Sequence, residues 1–104
     1  MEKLTYRFEG GKRTLPMHAQ VVGVVGSGNL EVLIESTAQG GACTIDISTA
    51  AAGFGAIWEA VMRDFQQRWQ LADTRIAIND VGATPAVVSL RLDQAVETML
   101  GGSP

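Results

Sequence analysis

The chain has 104 residues, a length that predicts one domain over residues 1–104. Eight Lys and Arg stand against eleven Asp and Glu, for a formal charge of −3, and the absence of a basic stripe argues against binding nucleic acid. With 46% hydrophobic and 18% charged residues the chain suits a globule that buries roughly two thirds of its unfolded surface. No apolar run reaches the length of a spanning helix, and the N-terminal MEKLTYRFEG lacks the apolar core of a signal peptide. The expectation is a cytoplasmic protein without direct membrane insertion.

Leu4, Tyr6 and Phe8 alternate with Thr5, Arg7 and Glu9, which predicts a first strand with one wet face. Gly10 and Gly11 end it, and Lys12 to Pro16 reads as a loop, because Pro16 cannot donate to a ladder. A second strand from about Ala19 to Val25 is apolar on both faces, which predicts a central position or one side covered by a partner. Gly23 within it marks a bulge or a close approach of another backbone. After Gly26-Ser27-Gly28-Asn29 a third strand returns from Leu30 to Glu35, with Leu30, Val32 and Ile34 alternating with Glu31 and Glu35. Ala38 to Ala42 then predicts a second hairpin turn leading to a strand over Cys43 to Ser48, whose Thr44, Asp46 and Ser48 face solvent. The small-residue connection Thr49 to Gly53 lets the chain turn back across the sheet, or accommodates a ligand or partner.

Phe54, Ile57, Trp58, Val61, Phe65 and Trp69 recur at three- and four-residue steps and predict an amphipathic helix from about Phe54 to Leu71, with Glu59, Arg63, Asp64, Gln66 and Gln67 on its wet side. An aromatic stripe at this spacing is a core stripe more often than a stacking platform. Gly53 and Gly55 at its start resemble a phosphate nest only weakly, since no P-loop lysine accompanies them. Thr74 to Asp80 is a further strand, which the intervening helix makes parallel to the one before it. Thr84 as N-cap and Pro85 at the first helical position predict a second helix with Val88, Leu92, Ala95, Val96 and Met99 on one face, ended by Gly101, Gly102 and Pro104. Its start at 86–92 also alternates as a strand does; the capping signal is the stronger. The resulting expectation is an α+β fold, a mixed, mostly antiparallel sheet of four to five strands with two helices packed on one face.

Ser27 is the residue this framework singles out. A hairpin with Gly-Ser-Gly-Asn between its strands exposes the serine, because Gly and Asn tolerate the positive φ values of short turns. Gly26 and Gly28 leave room for a second protein to approach the hydroxyl. No His or Lys base lies near it in sequence, so Ser27 reads as an acceptor of a group rather than a nucleophile, although a serine in such a turn is commonly a turn residue alone. Cys43, the single cysteine, alternates with Ile45 and Ile47 and reads as a core residue. His18, the single histidine, reads as a loop residue, and no metal-ligating spacing is present.

The segments VGSGNLEVLIE and INDVGATPAVVSLRL resemble the acyl-carrier, or delta, subunit of malonate decarboxylase, and the resemblance spans nearly the whole chain. It implies that Ser27 is joined through a phosphodiester to 2'-(5''-phosphoribosyl)-3'-dephospho-coenzyme A. The thiol of that group carries acetyl and malonyl during conversion of malonate to acetate and carbon dioxide. It also implies a carrier with no catalytic residues of its own. Its partners are then an acyl-transferase subunit, decarboxylase subunits, a prosthetic-group transferase and a malonyl transferase. A more distant likeness is to the carrier of citrate lyase, which bears the same group. A module that docks without a covalent group is the alternative from a different class.

Overall fold

The computed structural model describes residues 1–15, 19–22 and 29–100, the stretch 19–22 as backbone. Strands β1 (Glu2–Phe8), β2 (Arg13–Thr14), β3 (Ala19–Val22), β4 (Leu30–Ser36) and β5 (Cys43–Thr49) precede helix α1 (Gly55–Trp69). Strands β6 (Leu71–Ala72) and β7 (Thr74–Asp80) and helix α2 (Pro85–Met99) follow. The main sheet has the order β1-β5-β7-β4-β3, and β2 pairs with β6 in a small parallel ribbon. Only β5 and β7 run parallel in the main sheet; the other neighbours are antiparallel. This is the expected mixed sheet with two helices.

Two expectations about strand order fail. The strands on either side of Ala38 to Ala42 do not form a hairpin, because β7 lies between them. The connection therefore crosses about 10 Å, two strand spacings. It is held there by Asp73, whose carboxylate accepts the N–H groups of Gln39 and Gly41, each at 2.9 Å. Insertion of β7 aligns branched side chains in rows: Ile45, Ile76 and Ile34 in one, Ile47, Ile78 and Val32 in the next. All six are buried, and a sheet with β4 directly beside β5 would leave Ile76 and Ile78 without this position. Because β1 pairs with β5 and not with β3, β3 is the edge strand of the main sheet, so of the two readings given for the second strand, a central position or a side covered by a partner, the central position is not adopted.

The polar face is as expected. Thr5 donates to Asp46 at 3.0 Å, Arg75 to the other Asp46 oxygen at 3.4 Å and Asn79 to Glu31 at 3.1 Å. Such exposed pairs contribute little individually, about 0–1 kcal/mol. The free energy lies on the opposite face, where Phe65, Met62, Leu92, Val96 and Met99 pack on the isoleucine rows.

Helix α1 ends earlier than expected, at Trp69, because Gln70 takes a left-handed conformation (φ 51) and the chain turns directly into β6. Its carbonyl accepts the N–H groups of Lys12 and Arg13, so part of the expected loop at Lys12 to Pro16 is β2 instead. The aromatic stripe divides. Trp58 and Phe65 are core, Val61 and Trp69 are half-buried, and Phe54 and Ile57 stay about half exposed, at 48% and 46%. Gln66, expected in water, is buried and bonded at both ends of its amide to the Leu71 backbone. Trp69 donates its indole N–H to Asp93 at 2.8 Å, and Arg68 reaches both oxygens of that carboxylate, at 2.8 and 2.9 Å. These bonds clamp the end of α1 to α2.

The second helix is a helix from its first turn. Thr84 accepts the Val87 N–H at 3.3 Å, Pro85 follows, and all five expected core positions are buried. Its expected terminators Gly101, Gly102 and Pro104 lie outside the described residues, as does Gly23.

Candidate functional site: one end of the sheet

The pairing of β3 with β4 keeps a single register: Ala19 faces Glu35, Gln20 faces Ile34, Val21 faces Leu33 and Val22 faces Val32. Position 27 is the sequence midpoint of every one of these pairs. Of the strand expected over Ala19 to Val25, Ala19–Val22 is present and pairs with the strand expected after the turn; residues 23–25 lie outside the described residues. Gly26, Ser27 and Gly28 lie outside the described residues, and so does His18. Asn29 lies inside them, half-buried at the start of β4, and its carbonyl accepts the Val81 N–H at 2.9 Å. The foot of the hairpin is thus bonded to the residue that follows β7.

Several elements converge at this end. Leu30 at the start of β4 faces Asp80 at the end of β7, and Asp80 faces Thr49 at the end of β5. Because α1 follows β5 and α2 follows β7, both helices begin here. Asp80 organises the junction and is 3% exposed. One of its oxygens accepts Thr49 Oγ1 at 2.8 Å; the other accepts the Ala83 N–H at 2.8 Å and the Gly82 N–H at 3.3 Å. A carboxylate holding the two amides that precede a helix shapes the turn into it. Asp80 had no place among the candidates drawn from the sequence, where the signal for it was an acid at a strand end followed by Val-Gly-Ala-Thr-Pro.

The weak nest reading of Gly53 and Gly55 meets a local explanation. Gly53 has φ 89, and its N–H donates to the Glu2 carboxylate at 3.3 Å. An acid of the chain itself thus takes that donor.

Cys43 is fully buried on β5, and burial pushes its thiol pKa up to about 12. It is a core residue, as expected, and its thiol is unsuited to carrying an acyl group, which requires an accessible thiolate. Among the described residues no group of three His, Cys, Asp or Glu side chains is placed to hold a metal ion. No helix among them is long and apolar enough to cross a membrane.

Comparison with known proteins agrees with the resemblance carried by the hairpin and the second helix. A malonate decarboxylase acyl carrier protein of Stenotrophomonas maltophilia strain K279a is 62% identical over 105 residues, covering 100% of this chain and 99% of that protein. One from Burkholderia cepacia is 58% identical over 95 residues, covering 91% and 87%. Among solved structures, a chain in the crystal structure of a Pseudomonas malonate decarboxylase hetero-tetramer in complex with malonate superposes with a TM-score of 0.81. It is 35% identical and covers 95% of this chain and 99% of that one. Residues 17–99, a span that includes Ser27, match the family described as Malonate decarboxylase delta subunit (MdcD). The chain therefore belongs to the malonate decarboxylase delta-subunit family.

Proposed function

We propose that this chain is the acyl carrier of a malonate decarboxylase, a single carrier domain over residues 1–104, and that Ser27 is its attachment residue. The observation that carries this reading is family membership over residues 17–99, a span that includes Ser27 and the paired strands β3 and β4 that precede and follow it in the chain. The group attached there is 2'-(5''-phosphoribosyl)-3'-dephospho-coenzyme A, joined by a phosphodiester to the Ser27 hydroxyl. The chain's own thiol is buried and protonated, so an acyl-bearing thiol has to be brought in from outside. No buried side-chain polar atom among the described residues lacks a partner, so the fold does not demand an internal ligand.

When bound, the group supplies a thioester, which stabilises the carbanion left by loss of carbon dioxide better than a free carboxylate does. The chain contributes the tether and a rigid base, which hold the acyl unit at high effective concentration between partner sites. Oxyanion donors and proton-transfer groups belong to the partners: an acyl-transferase subunit, decarboxylase subunits and the malonyl transferase, with a separate prosthetic-group transferase for loading. The setting is the cytoplasm.

The test is the intact mass of the protein from a host expressing the attachment enzymes, with peptide mapping over Ser27. The expected result is the mass of the group on Ser27 and its loss in Ser27→Ala, which remains folded. An unmodified chain, from a host shown to load a known carrier of this family, overturns the assignment. Replacing Gly26 or Gly28 by Val is expected to slow loading, because a branched side chain obstructs approach to the hydroxyl; equal rates would confine the glycines to a role in the turn.

A further inference from the structure

Beside the foot of the hairpin lies a cleft of about 250 Å³ that the proposed carrier role does not use. Helix α1 supplies one wall with Phe54, Ile57, Trp58 and Val61, and the start of α2 supplies another with Pro85 and Val88. Asp80 and Gly82 line it as well. Val81, between these two, donates its N–H to Asn29, so the hairpin's foot and the cleft share one three-residue segment.

The walls explain why the aromatic stripe of α1 is incompletely buried. Phe54 and Ile57 keep about half their surface in water, while Trp58, one residue further on, is 6% exposed. An apolar recess this size is substantial, since closed cavities of about 150 Å³ with aliphatic walls already take a benzene-sized guest. Its position outside the carboxyl ends of two neighbouring parallel strands is also where α/β sheets commonly bind small molecules.

The charge pattern restricts the guest. Among the described residues Asp80 is the sole charged one lining the cleft, and its oxygens already accept three hydrogen bonds. No Lys or Arg among the described residues lines it. A carboxylate entering it would lose water beside a fixed negative charge and gain no partner, which is strongly unfavourable. A short uncharged acyl thioester meets no such penalty.

We propose that this cleft shelters the uncharged acyl end of the arm carried by Ser27 and excludes the arm when its acyl unit is malonyl. This rests on the Ser27 reading above. In the acetyl state Trp58, Val61 and Val88 cover the thioester and keep water from its carbonyl carbon. In the malonyl state the extra carboxylate keeps the acyl unit in solvent, where a partner can take it. The carrier thus leaves the malonyl form open to the decarboxylase subunits and shields the acetyl form from water until the acyl-transferase subunit draws it out.

The test uses the full chain loaded with a ¹³C-methyl acetyl group, with loading on Ser27 first established by mass. Nuclear Overhauser contacts from the labelled methyl to Trp58 and Val88 are expected in the acetyl form and absent in the malonyl form. Ile57→Trp fills the cleft from a half-exposed position that tolerates a larger side chain. It is expected to abolish the contacts and speed thioester hydrolysis in buffer several-fold. A loaded acetyl form without contacts to Trp58 overturns the cleft assignment and leaves Ser27 intact as the attachment residue. Equal contacts in acetyl and malonyl forms overturn the exclusion. A chain that cannot be loaded on Ser27 removes the earlier reading, and this one with it.

Discussion

Thr49 and Asp80 close the parallel pair β5 and β7 with a buried hydrogen bond of 2.8 Å from the threonine hydroxyl to a carboxylate oxygen. The same carboxylate holds the Gly82 and Ala83 amides, so one side chain joins two strand ends to the start of α2. Asp80→Ala leaves the Thr49 hydroxyl and two amides without their acceptor. The expected loss is about 2–4 kcal/mol of unfolding free energy, read from urea titration. Thr49→Val removes a donor while filling its volume, and is expected to cost less, about 1–2 kcal/mol. Equal losses from the two variants would show that the amide bonds contribute nothing.

Gly11 lies against the backbone that follows α1. A Cβ built there would sit 2.0 Å from the Leu71 carbonyl oxygen. Gly11→Ala therefore forces β2 and β6 apart, and about 1–3 kcal/mol of destabilisation is expected from overpacking of this kind. Gly10 has open space around it but a φ of 70, so Gly10→Ala strains the backbone without a clash. A Gly11→Ala protein with an unchanged urea midpoint would contradict the close approach.

Asp73 carries a pH dependence. Hydrogen bonds from the Gln39 and Gly41 amides hold its carboxyl below the ordinary value. A group depressed in the folded state stabilises it above its unfolded pKa, about 3.9 for Asp, and that contribution fades as pH falls through the folded value. Acid titration of unfolding should show this loss from about pH 4 downward. Asp73→Asn should lack that part of the acid dependence. Asparagine tolerates the left-handed backbone that Asp73 adopts at φ 51, so the substitution tests the charge rather than the turn.

Cys43 should resist thiol reagents. With its pKa pushed up to about 12 by burial, almost no thiolate exists at pH 8. Labelling by iodoacetamide is expected only as the protein opens, and to accelerate sharply in urea. Rapid labelling of the native protein would show that β5 is accessible where the core should be sealed.

Local pattern was enough wherever a segment's partner did not matter. Alternation marked the wet and buried faces of β1, β4, β5 and β7, and Thr84 with Pro85 located the start of α2, because period and capping chemistry act within a few residues. Strand order was not legible in this way. A meander and a sheet with β7 inserted satisfy the same alternation, and the choice depends on pairing isoleucines 31 residues apart, such as Ile45 and Ile76. The stripe on α1 shows the same limit: periodicity identified an apolar face, but which part of it lies under α2 depends on where the second helix crosses.

The sequence by itself determined the five strands of the main sheet and both helices, though not the short β2 and β6, together with the single buried thiol and, through its likeness to a known family, Ser27 as the residue to test. Those follow from short-range sterics, from composition and from motif. Only the tertiary structure decided that Asp80 ties the ends of β5 and β7 to the start of α2, that β3 is an edge strand, and that an apolar cleft opens beside Asp80. Each depends on groups far apart in the chain meeting after the sheet has formed, and no local spacing encodes such a meeting.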